Sequence, residues 1–120
     1  MAAYNSQTEL KASLVSRLTP VAHSASRDAL RAFARNTLGS IMGDHGLDII
    51  ISASESMLVV YAALAGWPIA TVPLGNLKTN GQAFGLFVLA RAGGEDILLQ
   101  FMAAYHGAFE GVARPSHLIE

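Results

Sequence analysis

Apolar residues recur along this chain in two rhythms, and the alternation of those rhythms sets out its elements. Leu10, Leu14 and Leu18 stand one helical turn apart behind Ser6-Gln7-Thr8-Glu9, which has the spacing of a capping box. A short amphipathic helix from about Gln7 to Leu18 is expected. Thr19-Pro20 then offers an N-cap residue before a proline at the first helical position, and Leu30, Phe33, Leu38, Ile41 and Met42 follow at helical intervals. That predicts a second helix ending near Gly43, with Gly39 a weak point inside it. The rhythm changes at Leu47–Ile51, a short apolar run without polar alternation, as in a strand covered on both faces. Ser54 is placed to cap the next helix, with Glu55 in its first turn. From Met57 to Ala65 every residue is apolar except for the tyrosine hydroxyl, which predicts a helix buried all round and stopped by Gly66 and Pro68.

Ile69–Leu74 and Phe84–Ala90 read as two further strands. Their connection, Gly75–Gln82, contains Asn80-Gly81, a pair suited to positive φ. Gly93-Gly94 breaks the chain, Glu95 and Asp96 open a last helix, and Ile97, Leu98, Phe101, Met102, Tyr105 and Phe109 form its wide apolar face; an irregular tail is expected after Gly111. The fold class expected is α/β: a small mixed sheet of about three strands with about four helices on its two faces. At 120 residues this is one domain, divided as an N-terminal helix over 1–19, an α/β core over 20–110 and a tail over 111–120.

Composition changes that picture in one respect. With 52% hydrophobic and 14% charged residues, the chain has more apolar surface than a monomer of its size readily hides, so a homo-oligomer is expected. Eight basic residues balance nine acidic ones and the arginines are scattered, which leaves no electrostatic footprint for nucleic acid. Zero cysteines exclude disulfides, iron–sulfur clusters and thiol catalysis. The apolar runs are broken by Gly, Pro or Thr short of a membrane span and no leader pattern opens the chain, so the reading is soluble and cytoplasmic. Met1, with a capping signal directly behind it, is read as a natural start.

Four blocks carry a resemblance. They are Leu47-Asp48-Ile49-Ile50-Ile51; the small-residue helix closing on Ala65-Gly66-Trp67-Pro68; Ile69-Ala70-Thr71-Val72-Pro73-Leu74-Gly75; and Asn80-Gly81-Gln82-Ala83-Phe84-Gly85-Leu86 running on to Ala90-Arg91. In their order and spacing they resemble the C-terminal segment of the amidase-signature family, over roughly half of the chain, with a weaker likeness back through Arg27 to His45. The resemblance implies an α/β fold in which these strands belong to a larger sheet. It also implies that the lysine and two serines of that family's amide hydrolysis lie upstream. Here the only lysines are Lys11 and Lys78 and no Gly-Gly-Ser-Ser run exists, so the chain is read as truncated and not a competent amidase on its own.

Three places carry candidate chemistry. Ser52-Ala53-Ser54-Glu55-Ser56 follows the first strand, and open α/β sheets deliver ligands to the C-terminal ends of their strands. By the resemblance this junction lies near the substrate pocket, although the family more often has Pro-x-Ser/Thr where Ala53-Ser54 stands. If Glu55 turns inward among Met57, Tyr61 and Trp67, it is a desolvated carboxylic acid with a raised pKa, the condition for general-acid work. The plain alternative is that the serines only satisfy the helix start. Asp44-His45-Gly46 could form an acid/base pair or simply an ordinary helix-ending turn. His106 lies at the margin of the last helix's apolar face. The ligand-binding candidates are Ser52, Ser54, Met57, Tyr61 and Trp67, and the catalytic ones Glu55, His45 and His106. Histidines at 23, 45, 106 and 117 lack metal-ligand spacing and no phosphate-binding glycine motif occurs, so neither metal nor cofactor is expected.

Two functions from different classes follow. One is a stand-alone amidase-like protein that binds a small apolar molecule, or guides a non-hydrolytic acid/base rearrangement of it in a biosynthetic pathway. The other is a non-catalytic pseudoenzyme subunit or interaction module that docks on a larger partner.

Overall fold

The computed structural model describes residues 7–109. Their order is α1 (Thr8–Leu14), α2 (Pro20–Asp44), β1 (Ile49–Ala53), α3 (Leu58–Ala65), β2 (Ile69–Asn76), β3 (Ala83–Ala90) and α4 (Glu95–Ala108). This is the expected α/β arrangement of three strands and four helices. The strands lie in the order β1-β3-β2 and both pairings are antiparallel, so the expected mixed sheet is an antiparallel one.

The register sorts the side chains onto two faces. Ile50, Leu89 and Ile69 are cross-strand neighbours and pack with Ala34, Leu38, Ala62 and Ala65 beneath α2 and α3. On the other face Ala90, Val88 and Val72 are buried against Leu98, with Phe101 and Tyr105 of α4 closing over them. Helices therefore cover both faces, as expected. β3, the central strand, is the most buried of the three, with Gly85 and the run from Val88 to Ala90 sealed. Ile51 keeps 45% of its surface exposed, so the doubly covered strand expected over Leu47–Ile51 is not what forms.

Several boundaries follow from local chemistry. Thr19 is extended and its hydroxyl accepts the Ala22 N–H at 3.2 Å, with Pro20 opening α2 as its sequence predicts. At the other end Gly46 takes φ +59°, the Leu47 N–H donates to Met42 O at 2.8 Å and the Gly46 N–H to Gly43 O at 3.2 Å. That is a Schellman closure, and it moves the start of β1 from the expected Leu47 to Ile49. Gly66 (φ +68°) ends α3 in the same way, the Trp67 N–H reaching Ala62 O at 3.0 Å. Gly81, at φ +73°, turns the loop between β2 and β3.

Two expected helices differ. α1 stops at Leu14 rather than Leu18, because the Ser16 hydroxyl accepts the Leu18 N–H and the residue before Pro20 is held extended. Its cap is Gln7, without a side-chain bond; Ser6, the expected capping hydroxyl, lies outside the described residues, as does the 111–120 tail. α3 is not buried all round: Val59 and Val60 remain 40% and 41% exposed, and only Ala62 and Ala65 are sealed. The Arg35 Nε–H donates to Ala65 O at 2.7 Å and so ties α2 to an otherwise orphaned carbonyl at the end of α3. Replacing Arg35 by Met keeps the aliphatic stem and removes that bond. The expected loss is about 1 kcal/mol, discounted for the partly exposed site, read as a lower urea midpoint at unchanged slope.

Candidate functional site

A cleft of about 360 Å³ is walled by α2, β1 and α3. Leu38 and Ile41 form one wall with Thr37, and Ile50 and Ser52 the floor. Ser56, Met57, Leu58 and Tyr61 complete it. The volume is within the range of small-molecule sites. A hollow of about 390 Å³ at Ser54, Thr71, Pro73 and Phe84 is as large, but it lies over the sheet and its turns with no helix wall.

A pair of hydroxyls supplies the polar part of the cleft. Ser52 Oγ and Ser56 Oγ lie 2.6 Å apart. Ser56 Oγ also accepts the Leu58 N–H at 3.3 Å, and Ser52 Oγ approaches Ala53 O at 3.4 Å. One consistent order of donation runs from the Leu58 N–H to Ser56, from Ser56 to Ser52, and from Ser52 to Ala53 O. The last bond is long, so in that order the Ser52 proton is the one free to turn toward a ligand carbonyl, while each oxygen retains a lone pair for a ligand N–H or O–H. The Tyr61 ring stands 6.4 Å from Phe33 at a 38° tilt and presents a flat apolar wall.

Of the residues singled out in the sequence, Ser52, Met57 and Tyr61 are brought together here. Ser54 turns the other way: its N–H donates to Gly85 O at 3.0 Å and its hydroxyl accepts the Gly85 N–H at 3.4 Å, which ties the turn to β3 rather than capping α3. Glu55 sits exposed at the tip of that turn, three residues before α3 begins, and does not line the cleft, so the inward, desolvated carboxyl envisaged for it is not formed. Trp67 is half-buried against the α2/α3 core. His45 is the cap of α2 in the Schellman turn. His106 lines a separate hollow of about 230 Å³ with Thr71, Pro73, Met102, Tyr105 and Phe109, across the sheet from the cleft. The residues that sequence reasoning missed are Thr37, Leu38 and Ile41, Ser56 as a lining hydroxyl, and Ile50 and Leu58. The Thr37/Ile41 spacing of one turn was a usable signal, provided the packing of α2 over β1 was known.

No protein-family model matches the chain, and no solved structure matches it significantly. Two curated proteins do. A protein of Schizosaccharomyces pombe named as an amidase is 33% identical over 67 residues, 56% of this chain and 11% of that protein. The 6-aminohexanoate-cyclic-dimer hydrolase of a Pseudomonas species is 33% identical over 90 residues, 68% of this chain and 18% of the hydrolase. Over part of its length the chain is similar to amidases. It spans less than a fifth of the length of either relative. Among the described residues no helix is long and apolar enough to cross a membrane.

Proposed function

We propose that this chain is a truncated, amidase-like protein that binds a small, largely apolar molecule carrying one carbonyl or amide group in the cleft between α2, β1 and α3. The observation that carries this reading is the Ser52–Ser56 hydroxyl pair set into a hollow whose surface is otherwise mostly hydrocarbon. A polar pair in an apolar surround fixes the orientation of a ligand whose bulk is held by area alone. The amide-acting relatives support the choice of ligand class. With walls of hydroxyl and hydrocarbon, the cleft is equipped for binding more than for an acid/base rearrangement, which would need Glu55, His45 or His106 to reach it. Serine is a poor nucleophile unless a base takes its proton, and Lys11 on α1 and Lys78 in the hairpin loop line no part of the cleft.

Titration with a panel of small aryl and alkyl amides tests this. The expected result is saturable amide-resonance shifts at Ile50, Ser52, Ser56 and Tyr61 and no turnover above a heat-killed control. Shifts scattered over the surface, or none, would remove the cleft as a site. Turnover abolished by Ser52→Ala would show that a nucleophile had arisen.

A second reading, an interaction module that docks on a larger partner, draws on a different observation. Along α2 the side chains of Val21, Leu30 and Phe33 remain 79%, 49% and 58% exposed. Co-expression with a longer amidase-type protein distinguishes it: a stoichiometric complex lost with Phe33→Glu favours docking, and separate elution disfavours it.

A further inference from the structure

Two strand edges end this sheet, and they are not equivalent. The Ser54 N–H donates to Gly85 O, and the Ala90 N–H to Pro68 O. Hydrogen-bonded pairs alternate along an antiparallel ladder, so these two bonds fix the phase on both sides of β3. Position 85 and its odd-numbered neighbours bond β1, and position 90 and its even-numbered neighbours bond β2. On β1 the even positions are then spent inward, and the N–H and C=O groups of Ile49, Ile51 and Ala53 point away from the sheet. On β2 the outward positions are Ile69, Thr71 and Pro73.

The β2 edge is closed by its own chemistry. Pro73 has no N–H to offer, its carbonyl accepts the Tyr105 hydroxyl at 2.7 Å, and the register slips between Pro73 and Gly75. Proline and bulges are the usual devices that stop an edge from pairing. The β1 edge carries none of them. Ile49–Ala53 has no proline, no charge and no bulge, and Ile51 and Ala53 are exposed on it.

We infer that β1 is the dimerisation edge and that its occupant is β1 of a second copy, antiparallel about a two-fold axis through Ile51. That register satisfies three independent conditions. The hydrogen-bonding phase matches itself: Ile51 meets Ile51 of the second copy, Ile49 meets Ala53, and all are outward positions. Ile51 exchanges N–H and C=O with its equivalent, and each Ala53 N–H meets the Ile49 carbonyl of the other copy; the ladder ends there because Ala53 O already accepts the Ser56 N–H at 3.0 Å. The side chains match, since the exposed Ile51 pair comes together on the α4 face. The charges match as well. Asp48 falls opposite Ser54 of the second copy rather than opposite another carboxylate, and a net charge of −1 per chain opposes association little. A foreign strand would meet none of these conditions by necessity. With the β2 edge closed, assembly stops at two copies instead of running on as a fibre. On the α2/α3 face the same register sets Ser52 of the second copy beside Ile50, so the two clefts meet at the axis.

The absence of cysteine makes a direct test clean. Residues in a hydrogen-bonded antiparallel pair have Cα atoms about 5.5 Å apart, within the span a disulfide bridges. The Ile51→Cys protein is therefore expected to oxidise to a covalent dimer of twice the 12.6 kDa chain mass, and Thr71→Cys, on the closed edge, to form no covalent cross-link on the same timescale. The unmodified protein is expected to sediment as the dimer at micromolar concentration, and Ile51→Lys, with like charges facing at the axis, as a monomer of unchanged circular dichroism. A monomeric unmodified protein overturns the inference. So does cross-linking of Thr71→Cys as fast as Ile51→Cys, or a dimer that survives Ile51→Lys.

Discussion

Gly85→Ala is expected to be the most damaging single-methyl change in the chain. A Cβ built at Gly85 falls 2.4 Å from the Val72 carbonyl oxygen, with the Val72 carbonyl carbon at 3.3 Å and Thr71 Cγ2 at 3.4 Å. The obstacle is backbone. It cannot rotate aside as a flexible side chain would, so β2 must move away from β3 at the place where the ladder already slips between Pro73 and Gly75. The same displacement strains the turn at Ser54, whose N–H and hydroxyl both hold Gly85. Overpacking of this kind costs about 1–3 kcal/mol and occasionally more, which for a domain of this size lowers the melting temperature by several degrees per kcal/mol. Gly39 is the internal control. It lies inside α2, an added Cβ meets nothing within 4 Å, and Gly39→Ala is expected to raise stability by about 0.5–1 kcal/mol through helix propensity. Urea denaturation of both variants beside the parent decides the matter: a Gly85→Ala midpoint equal to the parent's would mean that the two strands do not approach as closely as the structure has them.

Signals that act within one turn of the chain were legible in the sequence. Thr19-Pro20 opens α2, Gly66 closes α3, Gly81 turns the β2–β3 loop and the Gly93-Gly94 break precedes α4, because each of these uses only its own φ, ψ and a bond to a neighbour. The alternation of elements followed from the apolar rhythm in the same way. What the sequence withheld depends on partners far along the chain. Ser54 looks like a helix cap, yet its bonds go to Gly85, thirty-one positions on, and with that commitment Glu55 is carried to the exposed tip of the turn. Leu47 and Asp48 look like the start of a strand, but the Leu47 N–H is spent closing α2 on Met42. The all-apolar run of α3 marked a helix correctly and overstated its burial, since among the described residues one side of Val59 and Val60 meets no second layer. For the cleft, the floor and one end were legible in Ser52, Met57 and Tyr61. The α2 wall was not, because the position of Thr37 and Ile41 across the cleft from β1 is fixed by how α2 rests on α3 through Ala34, Leu38, Ala62 and Ala65.

Ser52→Ala and Ser56→Ala separate binding from folding, and the comparison between them carries the largest expected effect on affinity. With Ser56 donating to Ser52, the Ser52 proton goes only to a long bond at Ala53 O, and its oxygen contacts Ser56 alone among the side chains described. Its removal leaves the remaining Ser56 hydroxyl half-exposed and able to take water, so stability should change by a few tenths of a kcal/mol at most, as for a surface substitution. A ligand carbonyl that had used the Ser52 proton then faces a methyl group in an apolar hollow. The expected fall in affinity is about tenfold, equivalent to about 1.4 kcal/mol. Ser56 does two things. Its oxygen accepts the Leu58 N–H that opens α3, so Ser56→Ala should lower stability by about 0.5–1 kcal/mol, toward the lower end for a bond of 3.3 Å, in addition to weakening the ligand. The double variant is then informative because the two hydroxyls share one hydrogen bond: its loss of affinity should fall short of the sum of the single losses, as for groups that act as a unit. Glu55→Gln, at an exposed position outside the cleft, should leave affinity unchanged. Titration calorimetry with the tightest amide of the panel, run on the four variants with their urea midpoints, measures all of these. A Ser52→Ala protein that binds as well as the parent would remove the hydroxyl pair from the site, and a tenfold loss in Glu55→Gln would bring the carboxylate back into it, through a closure of the Ser54–Met57 turn over the bound ligand.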